Sequence, residues 1–167
     1  MRRSLATVVL ALVCVLADAG AHPTRASAAS SYALAPGSQL QQGCFPPCLC
    51  PISLEQPLTG TFRLTQQAPT PLFEVYDVSD VVWHLKRGDT DVVITGSGTY
   101  RRGGEFALMQ ELTLDLSVGG QPPQHFDSGL VVGGGDFPTI TVTISINGEV
   151  CYDTVIDVVA KPLAGCG

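Results

Sequence analysis

Charge is scarce in this 167-residue chain: Asp, Glu, Lys and Arg together make up 14% of it, against 45% apolar residues. That balance excludes a disordered tail, which needs low hydrophobicity and high net charge. Beyond the first twenty or so residues no stretch carries a helical period over two turns, which argues against an α-helical domain. The one long uncharged apolar run, Leu5 to Ala17, is thirteen residues and falls short of the ~20 that span a bilayer. C-x-x-C and G-x-S-x-G are both absent, and none of the three histidines, His22, His84 and His125, lies beside the cysteine cluster.

What is present starts with an export signal. Met1-Arg2-Arg3 is basic, Leu5 to Ala17 is apolar, and Asp18-Ala19-Gly20-Ala21 supplies small residues for cleavage, the layout of a signal peptide. The expected organisation is a signal over 1–21, with Ala28 marking a later cleavage choice, and a flexible linker over 22–31. A single domain over 32–162 follows, carrying a Cys/Pro segment at 43–51, and a C-terminal tail over 163–167 ends the chain. About 145 residues suffice for one small domain. Without the signal, seven basic residues face fourteen acidic ones, a net charge of −7, which excludes nucleic-acid binding by counterion release. No second apolar stretch approaches spanning length, so no membrane span is expected after signal removal. The expected location is periplasmic or secreted.

Cys14 is discarded with the signal, leaving Cys44, Cys48, Cys50, Cys151 and Cys166. In an oxidising compartment disulfides are the default, and an odd number leaves one thiol unpaired or shared between chains. Cys48 and Cys50 are too close in sequence to bond without strain. The expectation is that one cysteine of the 43–51 segment bonds Cys151 and closes a loop of about 100 residues, worth ~4–5 kcal/mol in the chain-entropy model. Three thiols within seven residues also suggest zinc or copper. The spacing C-x3-C-x-C is not a zinc-ribbon pattern, however, and neither a metal nor another cofactor is expected. Tyr32-x-Leu34, Gly43-Cys44-Phe45-x-Pro47-Cys48-x-Cys50-Pro51, Asp127-Ser128-Gly129 and Cys151-Tyr152-Asp153 occur in this order. That order resembles a group of small exported bacterial proteins of unknown function, a resemblance that implies export and no activity.

After Pro51 the apolar residues alternate. Phe62 and Leu64, Val81 to Leu85, Val92 to Tyr100, Phe106 to Val118 and Ile140 to Ile146 each keep one parity. A period of two marks half-buried antiparallel strands, and Gly/Asn/Pro clusters punctuate them. The expected fold is all-β, an antiparallel meander of seven to eight strands closing as a barrel or folding as a two-layer sandwich. Trp83, Phe106 and Leu114 are expected to point inward, and Gly96 and Gly98 to mark a strand bend. Burial matching at Asn147-Gly148 favours a bulged turn pairing Ile144 with Val150 and Val142 with Tyr152. Cys151, Asp153 and Asp157 then fall on the outer face.

Four motifs carry candidate chemistry. Asp127-Ser128-Gly129 after Phe126 resembles the aspartic-protease triplet, in which two aspartates share a proton; a single copy would require a homodimer, and Leu130 replaces the usual small residue. Arg87-Gly88-Asp89 spells an integrin-type adhesion tripeptide at a hairpin tip. Asp89-x-Asp91 and Gly133 to Asp136 suggest calcium but supply fewer than the six oxygens that ion takes. Lys86-Arg87 and Arg101-Arg102 suggest an anion site, but a meander sends them to opposite ends of one strand, as solvated turn charge. The reading that follows is a non-enzymatic exported β domain serving as a structural, adhesive or partner-binding module, its partner an envelope or extracellular protein. The alternative is a lipocalin-like or YceI-like carrier of an apolar ligand, which needs an enclosed pocket of about 300 Å³ or more. A homodimeric aspartyl protease using Asp127 comes third.

Overall fold

The computed structural model describes residues 29–50, 53–133 and 136–164. The signal and Cys166 lie outside these residues. Among them none is helical, and eleven strands form one antiparallel sheet. In chain order these are β1 (Ala29–Leu34), β2 (Gln39–Phe45), β3 (Ser53–Pro57), β4 (Thr59–Gln66), β5 (Phe73–Arg87) and β6 (Thr90–Gly103). Then come β7 (Met109–Val118), β8 (Gln124–Asp127), β9 (Val131–Val132), β10 (Ile140–Ser145) and β11 (Cys151–Pro162). Eight of them pair in the order β1-β4-β5-β6-β7-β8-β10-β11, and β11 pairs back onto β1, so the hydrogen bonding forms a ring. β1 takes in Ala29 to Ser31, the end of the expected linker, because their backbone pairs with Arg63 to Thr65.

β1 and β2 lie one after the other along the same edge of β11, β1 against Ala160 to Pro162 and β2 against Cys151 to Asp157. At the break between them the buried Ser38 hydroxyl repairs the ladder. It donates to Val159 O at 2.9 Å and accepts from Val159 N at 3.0 Å. β3 pairs with β2. The ring has one thin seam: among the described residues, β8 and β10 share only the pair Asp127/Ser145. Beyond that pair the Gln110 side chain bridges the gap, its amide donating to Thr141 O at 2.8 Å while its carbonyl accepts from the Tyr100 hydroxyl at 3.1 Å.

The inward parity is apolar, as alternation requires. Trp83, Leu85, Ile94, Leu114, Leu116, Phe126, Ile140, Ile144 and Ile156 are all fully buried and fill the interior. Tyr32 stacks on Phe62 at 5.4 Å, and Phe62 meets Trp83 edge-on at 6.2 Å. Gly98 serves close approach: a Cβ there would sit 1.9 Å from Thr113 O and 2.9 Å from the Leu114 Cα, so β6 can press onto β7 only without one. Gly96 is placed in the same way, a Cβ there lying 2.1 Å from Asp115 O.

Two sequence expectations are corrected. Phe106 is 95% exposed, because β6 ends at Gly103 and β7 begins only at Met109, leaving it in a loop that breaks the parity. The β10–β11 register pairs Val142 with Val158 and Ile144 with Ile156, not with Tyr152 and Val150. The reason is Asp153, which is buried instead of lying on an open outer face. Its carboxylate accepts from Asn147 N at 3.0 Å, Glu149 N at 2.8 Å and Thr154 N at 2.7 Å. A loop over 146–150 therefore folds around this carboxylate, and no tight turn forms at Asn147-Gly148.

Two disulfides fasten the end of the ring where the β5–β6 tip and the 146–150 loop lie. Cys48 bonds Cys151 across 103 residues and Cys44 bonds Cys50 across six. The first is the expected link from the 43–51 segment to β11. Both point to an oxidising, exported environment. Among the described residues no helix is long and apolar enough to cross a membrane.

Candidate functional site at the mouth of the ring

The opposite end of the ring is where β4 turns into β5, β6 into β7, and where β1 begins and β11 ends. Here the inward parity of β6, running Ile94, Gly96, Gly98, Tyr100, continues to Arg102. Arg102 pairs with Glu74 on β5, which shares the parity of Tyr76. The Arg102 side chain is only 22% exposed, its Nη1 lies 3.4 Å from Glu74 Oε2, and its guanidinium sits 4.3 Å over the Phe137 ring. Beneath this charged cap lie Tyr32, Tyr76 and Tyr100, with Tyr76 6.0 Å from Tyr100 and 5.7 Å from Phe137. Burial raises the pKa of all three phenols, and pushes that of Tyr100 up to about 12 despite the opposing pull of Arg102.

Two clefts open to solvent at this end. One, of about 320 Å³, is lined by Pro69, Pro71, Leu72, Phe73, Arg102 and Leu108 among others. The second, of about 340 Å³, is lined by Tyr32, Leu64, Tyr76, Phe137, Pro138 and Pro162 with polar neighbours. The loops and short strand beside the first cleft carry an apolar rim: Leu72 is 51% exposed, Phe106 95%, Leu108 45% and Val132 73%. Backbone bonds tie its loops together, Gly104 N to Leu72 O at 2.9 Å and Gly133 N to Leu108 O at 2.7 Å. β9 lies beside them, pairing Val132 with Met109.

The motifs picked out from sequence lie elsewhere. In Asp127-Ser128-Gly129, Asp127 Oδ1 accepts from Gly129 N at 2.8 Å and Ser128 Oγ accepts from Leu112 N at 2.9 Å. These bonds build the turn that carries the chain from β8 to β9. Arg87, Gly88 and Asp89 form the exposed β5–β6 tip, with Gly88 at φ 62°. Nearby, Asp91 accepts from His84 at 3.0 Å, and that bond holds its carboxyl below the usual range. On the outer face Ser97, Asp115 and His125 align across β6, β7 and β8. Asp115 is the middle member and contacts His125 at 2.8 Å, so the imidazole is not placed between serine and carboxylate as nucleophile activation requires. Cys44, Cys48, Cys50 and Cys151 are all spent in disulfides.

Lys86 and Arg102 do lie at opposite ends of the β5–β6 hairpin. Arg102 is not solvated turn charge, though, because its side chain is largely covered. The signal was available: extending the parity of Ile94 and Tyr100 by two residues sends Arg102 inward and Arg101 outward. Arg101 bonds Glu111 through Nε at 2.9 Å and through Nη2. Compared with known proteins, the chain matches no family model, no curated protein and no solved structure.

Proposed function

We propose that this chain is an exported, non-enzymatic binding module, a disulfide-fastened barrel that docks an envelope or extracellular protein through its apolar rim. The observation that carries this reading is Phe106, 95% exposed among Leu72, Leu108 and Val132 on loops bonded to one another. Monomeric soluble proteins rarely leave a contiguous apolar patch of more than a few hundred Å² bare, and larger ones mark contact surfaces. A packed interior and two disulfides support a rigid platform for such loops.

The test is capture of a partner from the extracellular and envelope fractions of the source cell on the immobilised protein. Wild type should retain one partner, and a Phe106→Ser/Leu108→Ser variant with an unchanged circular-dichroism spectrum should retain about tenfold less or lower, as expected for an interface anchor. Equal retention by the variant, or no partner on wild type, removes the reading. The ligand-carrier reading has less support, because the interior positions that would enclose a ligand are occupied by Trp83, Phe126, Ile94 and their neighbours.

A further inference from the structure

Arg102 is a buried-side cation with unused bonding capacity. A guanidinium carries five N–H donors in a planar fork suited to carboxylates. Among the described residues, Arg102 gives one of these, at a long 3.4 Å, to Glu74, and offers its face to Phe137. Arg101, one residue earlier, is by contrast committed through two nitrogens to Glu111. In a cleft of about 440 Å³ Asp157 receives Gln39, Gln41 and Thr143, and in a neighbouring one Asp127 is held by its own turn. Among the described residues lining these clefts, Arg102 is the one that combines an apolar wall with uncommitted donors.

We infer that the cleft walled by Pro69, Pro71, Leu72, Phe73 and Leu108 binds a small amphipathic organic anion, its carboxylate on Arg102 and its apolar body against the wall. The volume of about 320 Å³, at roughly 30 Å³ per heavy atom, the share of one water in the liquid, admits about ten heavy atoms, the size of octanoate. The site is open and partly desolvated, so the charged bond retains strength that an exposed pair loses. Glu74, which also lines the cleft and accepts from the Tyr76 hydroxyl at 3.4 Å, is the resident competitor, with its side chain 48% exposed. This site shares Leu72 and Leu108 with the rim, while Phe106 and Val132 lie outside the cleft and Arg102 lies outside the rim, which lets the two be told apart.

The probes are octanoate and 1-octanol, titrated into the intact oxidised protein and followed by amide chemical shifts. Octanoate should shift Leu72, Phe73, Arg102 and Leu108 saturably and bind about tenfold or more tightly than octanol, the scale of one charge-assisted bond. Arg102→Gln should abolish that preference, and Glu74→Gln, which frees the guanidinium and removes a carboxylate from the cleft lining, should tighten octanoate several-fold. Should Arg102→Gln fail to fold, Leu72→Glu, at a half-exposed wall position, should weaken octanoate to the same degree. Phe106→Ser should leave octanoate binding unchanged, which separates this site from the docking surface. No saturable shift, equal affinity for the two probes, or an Arg102→Gln variant that still prefers octanoate would overturn the assignment.

Discussion

Gln110 holds the thin seam of the ring, and Gln110→Met tests whether that seam matters. Methionine keeps length and approximate volume but removes both polar ends. The Tyr100 hydroxyl then loses its acceptor at 3.1 Å and Thr141 O loses its donor at 2.8 Å, both in a site where Gln110 is 4% exposed. The orphaned Tyr100 hydroxyl, on a buried residue, costs about 1–3 kcal/mol, whereas Thr141 is exposed and its carbonyl can turn to water, so a loss of about 1–3 kcal/mol is expected. With a urea m-value of ~1–3 kcal/mol/M, the midpoint should fall by about 1 M, read from the fluorescence of the single tryptophan, Trp83. Tyr100→Phe removes the hydroxyl that Gln110→Met strands, so the double variant should lose about 1 kcal/mol less than the sum of the single losses. Amide exchange over Thr141 to Ser145 should accelerate before that of β5 and β6. A Gln110→Met loss under about 0.5 kcal/mol, additive with Tyr100→Phe, would refute the bridge as a closure element.

Three further outcomes are expected. Asp153→Asn replaces an acceptor oxygen with a donor facing the Asn147, Glu149 and Thr154 amides; it should cost about 2–3 kcal/mol in denaturant unfolding, and a near-neutral result would show that the loop needs no carboxylate. Non-reducing peptide mapping should recover Cys44–Cys50 and Cys48–Cys151. By chain entropy, Cys48→Ser/Cys151→Ser should cost ~5 kcal/mol and Cys44→Ser/Cys50→Ser ~2, so equal losses would contradict the assigned loops. Because the Tyr100 phenol is raised to about 12 when folded and ionises near 10 when unfolded, its contribution is intact below pH 10 and is lost as pH climbs to 12. That amounts to roughly 2 kcal/mol, and Tyr100→Phe should flatten this part of a stability-against-pH curve.

The all-β wall was legible because half-buried strands must alternate, and Phe62/Leu64, Trp83/Leu85 and Leu112 to Leu116 do so without interruption. The long disulfide was legible from compartment and spacing. The parts that escaped depend on contacts remote in sequence. Asp153 reads as an outward polar residue until the 146–150 loop wraps it, and no local pattern announces a carboxylate that organises its own turn. Phe106 keeps the parity of β7 in one dimension, but the chain leaves the sheet before reaching it. Gln110 bridges to Thr141, thirty-one residues away, a partner that only the ring brings near. Arg102 was hidden by its neighbour: the adjacent arginines invite one reading, and the strand sends them to opposite faces.

The placement of the Cys48–Cys151 bond has a mechanical consequence. β1 starts and β11 ends side by side, with Leu163 N on Ser31 O at 2.8 Å, so tension applied to the two ends unzips β11 from β1 and then from β2, one rung at a time. The unzipping runs straight toward the sulfur bridge and stops there. All the residues between Cys48 and Cys151 are then excluded from the load path. If the protein is anchored at one end and pulled at the other, β5, β6 and β7 stay unstretched however far the outer strands are drawn out.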